Sequence, residues 1–361
     1  MGTNRGDSNE ITRAYFERML IEMRHLDNTL TQTQIELFGA RTDMPILTAA
    51  FSHLKTPERD GMVELARGAF ACNAINMAGM GDEDELHRIV ATGARTIKII
   101  KPYADRNRIA AKIEHAKREG VIAVGIDIDH SFSREGEYDT VFGDPMMPLT
   151  LGELEQYVKM AGLPFVIKGV LSVTDAVKCL KAGVQGIVVS HHHGIIPYAV
   201  PPLMVLPRIA EVVRGKMKII VDCGIADGSD AFKALALGAD AVCVGRAILP
   251  SMQAEGGKGR RSLSPANERG TEGHHGENRF FRAFVDRQFC HPFCALAATP
   301  PAADSCHFPH AATSGKSSAS CSKARADRGN YRQGDRVRRR RFEASCRLSR
   351  KPLCENAKGL L

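Results

Sequence analysis

Ile167-Lys168-Gly169-Val170-Leu171-Ser172, Val188-Val189-Ser190-His191-His192-His193-Gly194, Val221-Asp222-Cys223-Gly224 and Val244-Gly245-Arg246 follow one another between residues 167 and 246. Each begins in a short run rich in Val and Ile, turns polar, and gives way to a helix-like segment. In a closed parallel barrel the ends of all strands lie on one face, so these polar residues would converge at one mouth.

Working outward from that stretch, eight strands can be placed: 45–49, 71–77, 96–100, 122–127, 164–168, 186–190, 218–222 and 239–244. Helical periods fall between them at 59–70, 82–92, 106–118, 151–161, 173–182, 202–214 and 228–237. Repeated strand-then-helix units predict an α/β fold, a (β/α)8 TIM barrel, over an open doubly wound sheet, which would carry a Gly-rich phosphate turn after its first strand. Ahead of the barrel (38–254), Phe16, Met19, Leu20 and Met23 recur at helical intervals, and an N-terminal helical segment is read over 1–37, capping the closed end or packing beside the rim.

Residues 255–361 differ from the rest. They hold 21 Lys and Arg against 10 Asp and Glu, whereas the preceding residues hold 28 against 31, so the chain's net charge of +8 resides in this basic segment. The barrel needs an eighth helix after Val244, but Gly256, Gly257, Gly259, Pro265, Gly270, Gly273 and Gly276 interrupt any helical period there. Shifted by one base, the coding sequence for 260–281 can spell an amphipathic helix. Three readings follow: an out-of-frame extension (and with it an inactive, frameshifted remnant), a disordered tail, or a second domain. The run Arg338 to Arg341 is read as solvated rather than as a specific nucleic-acid contact. No hydrophobic segment approaches the ~18 residues that span a bilayer and no signal-peptide core opens the chain, so a soluble, cytoplasmic protein is expected. Cys72, Cys179, Cys223 and Cys243 sit in or beside barrel elements, and the six later cysteines lack CxxC spacing.

Lys168 ends the fifth strand; it is either an ordinary strand-end lysine or a cation that stabilises negative charge developing in the mouth. Because side chains alternate at a strand end, only one or two of His191, His192 and His193 can share a pocket. They could supply a general base, a structural contact or metal ligands; adjacent histidines chelate one ion poorly, and no metal is assigned. Asp127 and Asp222 end other strands and could orient an imidazole. Gly224, Gly245 and Arg246 fall after strands seven and eight, where such barrels hold phosphate.

On these residues the chain resembles the FMN-dependent 2-hydroxy-acid oxidising enzymes, the group of glycolate oxidase, lactate oxidase and the flavocytochrome lactate dehydrogenases. The likeness covers roughly Phe38 to Pro250 and is sharpest in Ile167 to Ser172, in Lys233-Ala234-Leu235-Ala236-Leu237-Gly238-Ala239, and at Ser190, Asp222 and Gly245-Arg246. The resemblance implies FMN, oxidation of a small 2-hydroxy acid to a 2-oxo acid, and in related barrels a homo-oligomer; it leaves the electron acceptor open. It implies Lys168 near flavin N1 and C2=O, His192 as the base, Asp127 or Asp222 as its support, and Ser190, Asp222, Gly224, Gly245 and Arg246 around the ring system and phosphate. Ala50, Phe51, Ser52 and Asn76 fall where the family contacts flavin, and Arg134 where it grips the substrate carboxylate. The chain departs from the pattern elsewhere. Ile195 stands where the family has a second carboxylate-binding arginine, Ile99 and Lys101 where it has Gln and Tyr, Gly125 in place of a flavin-facing Thr, and Ala226 in place of a phosphate-side Arg. Lys101 or Lys98 could restore positive charge. These departures admit another FMN-barrel reaction, an isomerase or dehydrogenase on a different substrate. The segment from Arg134 to Leu149 is short for the family, which predicts a small lid or none.

Overall fold

The computed structural model describes residues 6–22, 26, 32–54 and 59–250. The readings made above for 255–361, including the frame displacement, lie outside the described residues.

Eight parallel strands form the barrel: β1 Ile46–Thr48, β2 Asn76–Ala78, β3 Thr96–Ile100, β4 Ala123–Asp127, β5 Phe165–Val170, β6 Gly186–Val189, β7 Lys218–Val221 and β8 Ala241–Val244. Seven neighbouring pairs run β2-β3-β4-β5-β6-β7-β8-β1. The Leu47–Ile75 bridge, with the Thr48 N–H donating to the Ile75 carbonyl at 3.1 Å, closes β1 on β2. The second strand begins five residues later than expected because Ala71 is the last residue of a helix.

Seven helices follow the strands: α2 Gly61–Ala71, α3 Glu83–Val90, α4 Arg106–Arg118, α5 Leu151–Ala161, α6 Val173–Lys181, α7 Pro202–Val213 and α8 Gly228–Ala236. Their starts are written locally. Asp60, Asp82, Asp105, Thr150, Ser172 and Asp227 each accept a backbone N–H with the side chain, Thr150 and Glu153 forming a capping box, while α7 opens on Pro202.

The period-two alternation of the strands divides the core. Leu47, Ile75, Met77, Ile97, Ile99, Ala123, Val166, Val188, Ile220, Ala241 and Cys243 fill the barrel interior. Their neighbours Ile46, Ile100, Val124, Ile126, Ile167, Val189, Ile219 and Val242 face the helices. Two residues on from the last interior side chains lie Ala49, Lys101, Lys168, Ser190, Asp222 and Gly245, and Asp127 lies four on from Ala123, past Gly125, so on seven of the eight strands the inward face leads from dry core to the mouth.

The N-terminal reading needs correction. A helix, α1, spans Ser8–Arg18, but Ile35–Leu37 pairs antiparallel with Ala40–Thr42 in a hairpin instead of continuing it. Phe38 and Gly39 turn that hairpin with φ of 51° and 78°, the left-handed pair a tight two-residue turn requires. The Phe38 ring lies so close to Gly186, at the start of β6, that a Cβ there would stand 2.6 Å from it. The hairpin therefore closes the lower end, and α1 lies at the rim of the mouth. After β8 the described chain continues through a 3-10 turn, Arg246–Ile248, into helical residues 249–250.

Candidate active site

Lys168 and Asp127 are paired across β5 and β4, and Gly169, with φ +94°, sits where the β5–β6 register slips by one residue. A Cβ on Gly169 would meet the Asp129 carboxylate at 2.6 Å, so the glycine makes room for a second acid beside the lysine. The buried Lys168 ammonium lies 3.5 Å from Asp127 Oδ1, 3.5 Å from Asp129 Oδ2 and 2.9 Å from His192 Nδ1. His192 Nδ1 is also 2.7 Å from Asp129 Oδ1 and 3.2 Å from Asp127 Oδ2. Lys101 donates to Asp127 Oδ2 at 2.8 Å. His130 approaches from the turn after β4, its Nε2 3.1 Å from His192 Nε2 and its Nδ1 2.7 Å from Asp139 Oδ2.

Charge decides the protonation pattern. Burial alone would push a proton onto Asp127, but Lys168, His192 and Lys101 hold its carboxyl well below the usual range. Asp129 is pushed up to about 6 by burial and then by the Asp127 charge. Burial disfavours the Lys168 charge, yet Asp127, Asp129 and Asp222 raise its proton affinity above an ordinary lysine's. His192 is likewise raised, burial opposing and Asp127 prevailing, whereas burial, Lys101 and His192 lower His130 to about 4. Asp127, Asp129, His130 and His192 each bring a donor atom within 4.8 Å of the others. The Lys168 ammonium already provides the positive charge inside that group.

Above this cluster opens a cavity of about 630 Å³, within the range of small-molecule sites. Lys168 and His192 form one part of its wall, Asp222 to Ala226 and Gly245 to Ala247 another, and Ala49, Ala50, Phe51 and Cys243 an apolar stretch. Helix α1 contributes Asn9, Thr12 and Arg13. Arg13 makes two 2.9 Å bonds to the buried Asp230, and the Arg246 guanidinium donates to Asn9 Oδ1 at 3.3 Å.

Of the three histidines, two share the cavity, and they do so because the backbone leaves the strand at His192 rather than by alternation. The Gly194 N–H donates to His191 Nδ1 at 2.8 Å, which leaves the His191 Nε2–H to donate to Thr12 Oγ1 at 2.8 Å, so His191 ties α1 down. His192 and His193 line the cavity, and His193 is held by Asn9. Both adopt left-handed backbone, φ 47° and 59°, to leave the strand.

Other residues singled out in the sequence sit as follows. Asp222 accepts from Ser190 Oγ at 3.4 Å and from the Cys223 N–H at 2.7 Å, while the two carboxylates at His192 are Asp127 and Asp129. The Ser190 hydroxyl also accepts the His192 N–H at 3.1 Å. Ala50, Phe51, Gly224, Gly245 and Arg246 line the cavity. Ser52 instead accepts the Met80 N–H at 2.7 Å. Asn76, next to the interior-facing Ile75 and Met77, points to the helix side and accepts from Thr48 Oγ1 at 3.0 Å. Arg134 is exposed and its guanidinium rests on the carbonyls of Gly194 (3.0 Å) and Ile195 (3.1 Å). The segment expected to hold a small lid or none folds back as a short ladder, Thr140–Val141 against Asp144–Pro145, carrying Asp139 to His130.

Asp129, His130 and Asp139 were not selected from sequence. The signal for the first two is the Asp-Ile-Asp-His order of 127–130 at the end of β4.

The donor set suits FMN: a buried lysine for an electron-rich ring, an apolar wall beside it, and Arg246 among glycines where an anion would lie. Comparison with known proteins agrees. Residues 1–148 and 133–265 match the model of the family described as FMN-dependent dehydrogenase. The chain is 27% identical over 293 residues to glycolate oxidase of Spinacia oleracea (71% of this chain, 78% of the relative). It is 29% identical over 283 residues to L-lactate oxidase of Lactobacillus jensenii (69% and 68%). Among solved structures, a mandelate oxidase mutant with a monooxide FMN adduct superposes with a TM-score of 0.61 at 32% identity, covering 72% of this chain and 82% of that one. Fold, donor set and sequence agree that this chain is a member of the FMN-dependent dehydrogenase family, an FMN-dependent oxidoreductase built on a (β/α)8 barrel.

Proposed function

We propose that the chain oxidises a small 2-hydroxy acid to the corresponding 2-oxo acid, with His192 as the base that takes the substrate's hydroxyl proton. The observation that carries this reading is the placement of His192 on the cavity wall, with two buried carboxylates within 3.2 Å of Nδ1 and the Lys168 ammonium 2.9 Å away. Asp127 and Asp129 fix the ring and stabilise the imidazolium that proton uptake creates. When bound, FMN supplies the two-electron acceptor for the substrate's α-carbon. Lys168, kept charged by its acids, opposes negative charge developing on the ring beside it. Lys168, Ser190, Asp222, Gly224, Gly245 and Arg246 are the residues we assign to holding FMN, with Ala50 and Phe51 as apolar wall. The cytoplasm is the proposed compartment, consistent with four buried cysteines present as free thiols. Among the described residues no helix is long and apolar enough to cross a membrane.

Anaerobic mixing of the FMN-loaded protein with lactate, glycolate and mandelate tests this: at least one bleaches the flavin absorbance, and His192→Asn slows that bleaching by a factor of about 10² to 10⁴. A flavin that stays yellow with all three overturns it. A second reading, another FMN-barrel reaction, is favoured by Ile195 and by Arg134 resting on backbone carbonyls, because neither offers the bidentate clamp a carboxylate would use.

A further inference from the structure

We propose that His130 is a positioning partner of His192: the two imidazoles share one proton along an Nε2–H···Nε2 bond, which masks the basic nitrogen of His192 until that proton passes through His130 to solvent and a substrate hydroxyl takes His130's place. The assignment of His192 as base rests on the function proposed above; the shared proton does not.

Counting hydrogens carries the argument. The Nδ1 of His130 faces the Asp139 carboxylate at 2.7 Å, which accepts hydrogen bonds, so that nitrogen bears a hydrogen and the Nε2 of a neutral His130 bears a lone pair. The Nδ1 of His192 has two possible arrangements. If it donates to Asp129 and Asp127, a neutral ring would point a second lone pair at His130 across 3.1 Å, a repulsive contact that one added proton turns into a hydrogen bond. If it accepts from Lys168, the ring's remaining hydrogen is on Nε2 and again lies between the rings. Both arrangements place a single proton on that line, and both leave His192 Nε2 without a free lone pair.

The charged groups around the pair favour the same distribution. Asp127, Asp129 and Lys168 face His192 from β4, the following turn and β5; Lys101 of β3 and Asp139 face His130. His130 is driven toward neutrality and His192 toward its protonated form, so the donor is His192 and the acceptor His130. His130 sits inside the single 3-10 turn Asp129–Ser131 at φ −87°, ψ 17°, between the barrel rim and the Thr140–Pro145 ladder. A substrate oxygen bound to His192 needs only this turn to shift.

The test uses the full chain loaded with FMN and labelled with ¹⁵N-histidine. We expect a scalar coupling between the two Nε2 nitrogens and a single shared titration step. In His130→Leu the coupling disappears and His192 titrates about one pH unit lower, the size of one lost hydrogen bond to its charged form. His130→Gln, whose Oε1 can still accept, restores the wild-type midpoint. In turnover, His130→Leu moves the acidic limb of kcat/KM by the same amount. Independent titrations without coupling overturn the proposal, as does an unchanged His192 midpoint in His130→Leu. A coupling seen only after chelation would assign the bridge to a metal ion and also overturn it. The NMR result stands whether or not a 2-hydroxy acid reduces the flavin, so failure of the proposed reaction and failure of the shared proton are separable.

Discussion

Replacing Asp129 with Asn isolates the energetic consequence of placing two buried acids beside one lysine. Asp129 titrates near 6 in the folded protein and near 3.8 in an unstructured chain. Below pH 3.8 the group is protonated in both states and contributes nothing to the pH dependence. Between 3.8 and 6 the folded state holds a proton that the unfolded state has released, so stability falls as pH rises. Above 6 the full penalty is present: the gap between the two values, at 1.36 kcal/mol per pH unit, comes to about 3 kcal/mol. Asn keeps an oxygen that can accept from His192 Nδ1 but carries no charge. Asp129→Asn should therefore gain on the wild type by about 2.5 kcal/mol between pH 4 and pH 7.5, since a little of the penalty is already present at pH 4, read from urea unfolding curves for both proteins at each pH. Parallel pH profiles would refute the burial-plus-Asp127 account of this carboxyl.

Other consequences follow from the same geometry. Lys168→Met leaves Asp127 and Asp129 with less compensating charge and should lower stability by about 3–5 kcal/mol while weakening FMN retention during gel filtration; a variant that keeps both would contradict the role assigned to the ammonium. Asp230→Ala removes the buried partner of Arg13, whose guanidinium still reaches solvent, and a loss of about 1–2 kcal/mol with faster protease cutting in α1 is expected, checked by limited proteolysis with mass mapping. Gly224→Ala puts a Cβ at φ +90° and 3.0 Å from Thr12 Cγ2, which should cost about 1–3 kcal/mol by thermal melting.

Much of the site was legible because a strand's alternation fixes which residues reach the mouth. Val166 inside implies Lys168 inside, Ile220 implies Asp222, and Cys243 implies Gly245; the apolar runs announced the strands, and two-residue steps carried the reading past their ends. That rule stops where the strand stops. Asp129 and His130 lie in a 3-10 turn with no repeat to extrapolate, and Asp139 reaches them through a two-residue ladder too short for periodicity to mark. Helix α1 was legible as a helix but not as a rim element, because the contacts that hold it there, Thr12 to His191 and Arg13 to Asp230, join residues 179 and 217 positions apart. Leu37 joined the helical pattern on hydrophobicity alone. The Phe38-Gly39 turn, which ends that pattern and starts the hairpin, is a pair of left-handed residues whose signal is a single glycine.

The same distinction separates the residues proposed to hold FMN from those proposed to face substrate. The residues assigned to FMN lie on interior-facing strand ends or in the turns after β7 and β8, where changing one disturbs the packing of the barrel itself. The turn after β4 and the loop after β6, which we propose face the substrate, bond to each other: Arg134 to the carbonyls of Gly194 and Ile195, and His130 to His192. Such segments can carry Ile195 at the rim, or place His130 beside His192, while the barrel beneath is unchanged. Both mouth lysines, Lys101 and Lys168, are engaged by Asp127. On the proposed reaction, a substrate carboxylate competes with buried aspartates for these cations, which favours 2-hydroxy acids whose remaining atoms supply affinity through apolar contact.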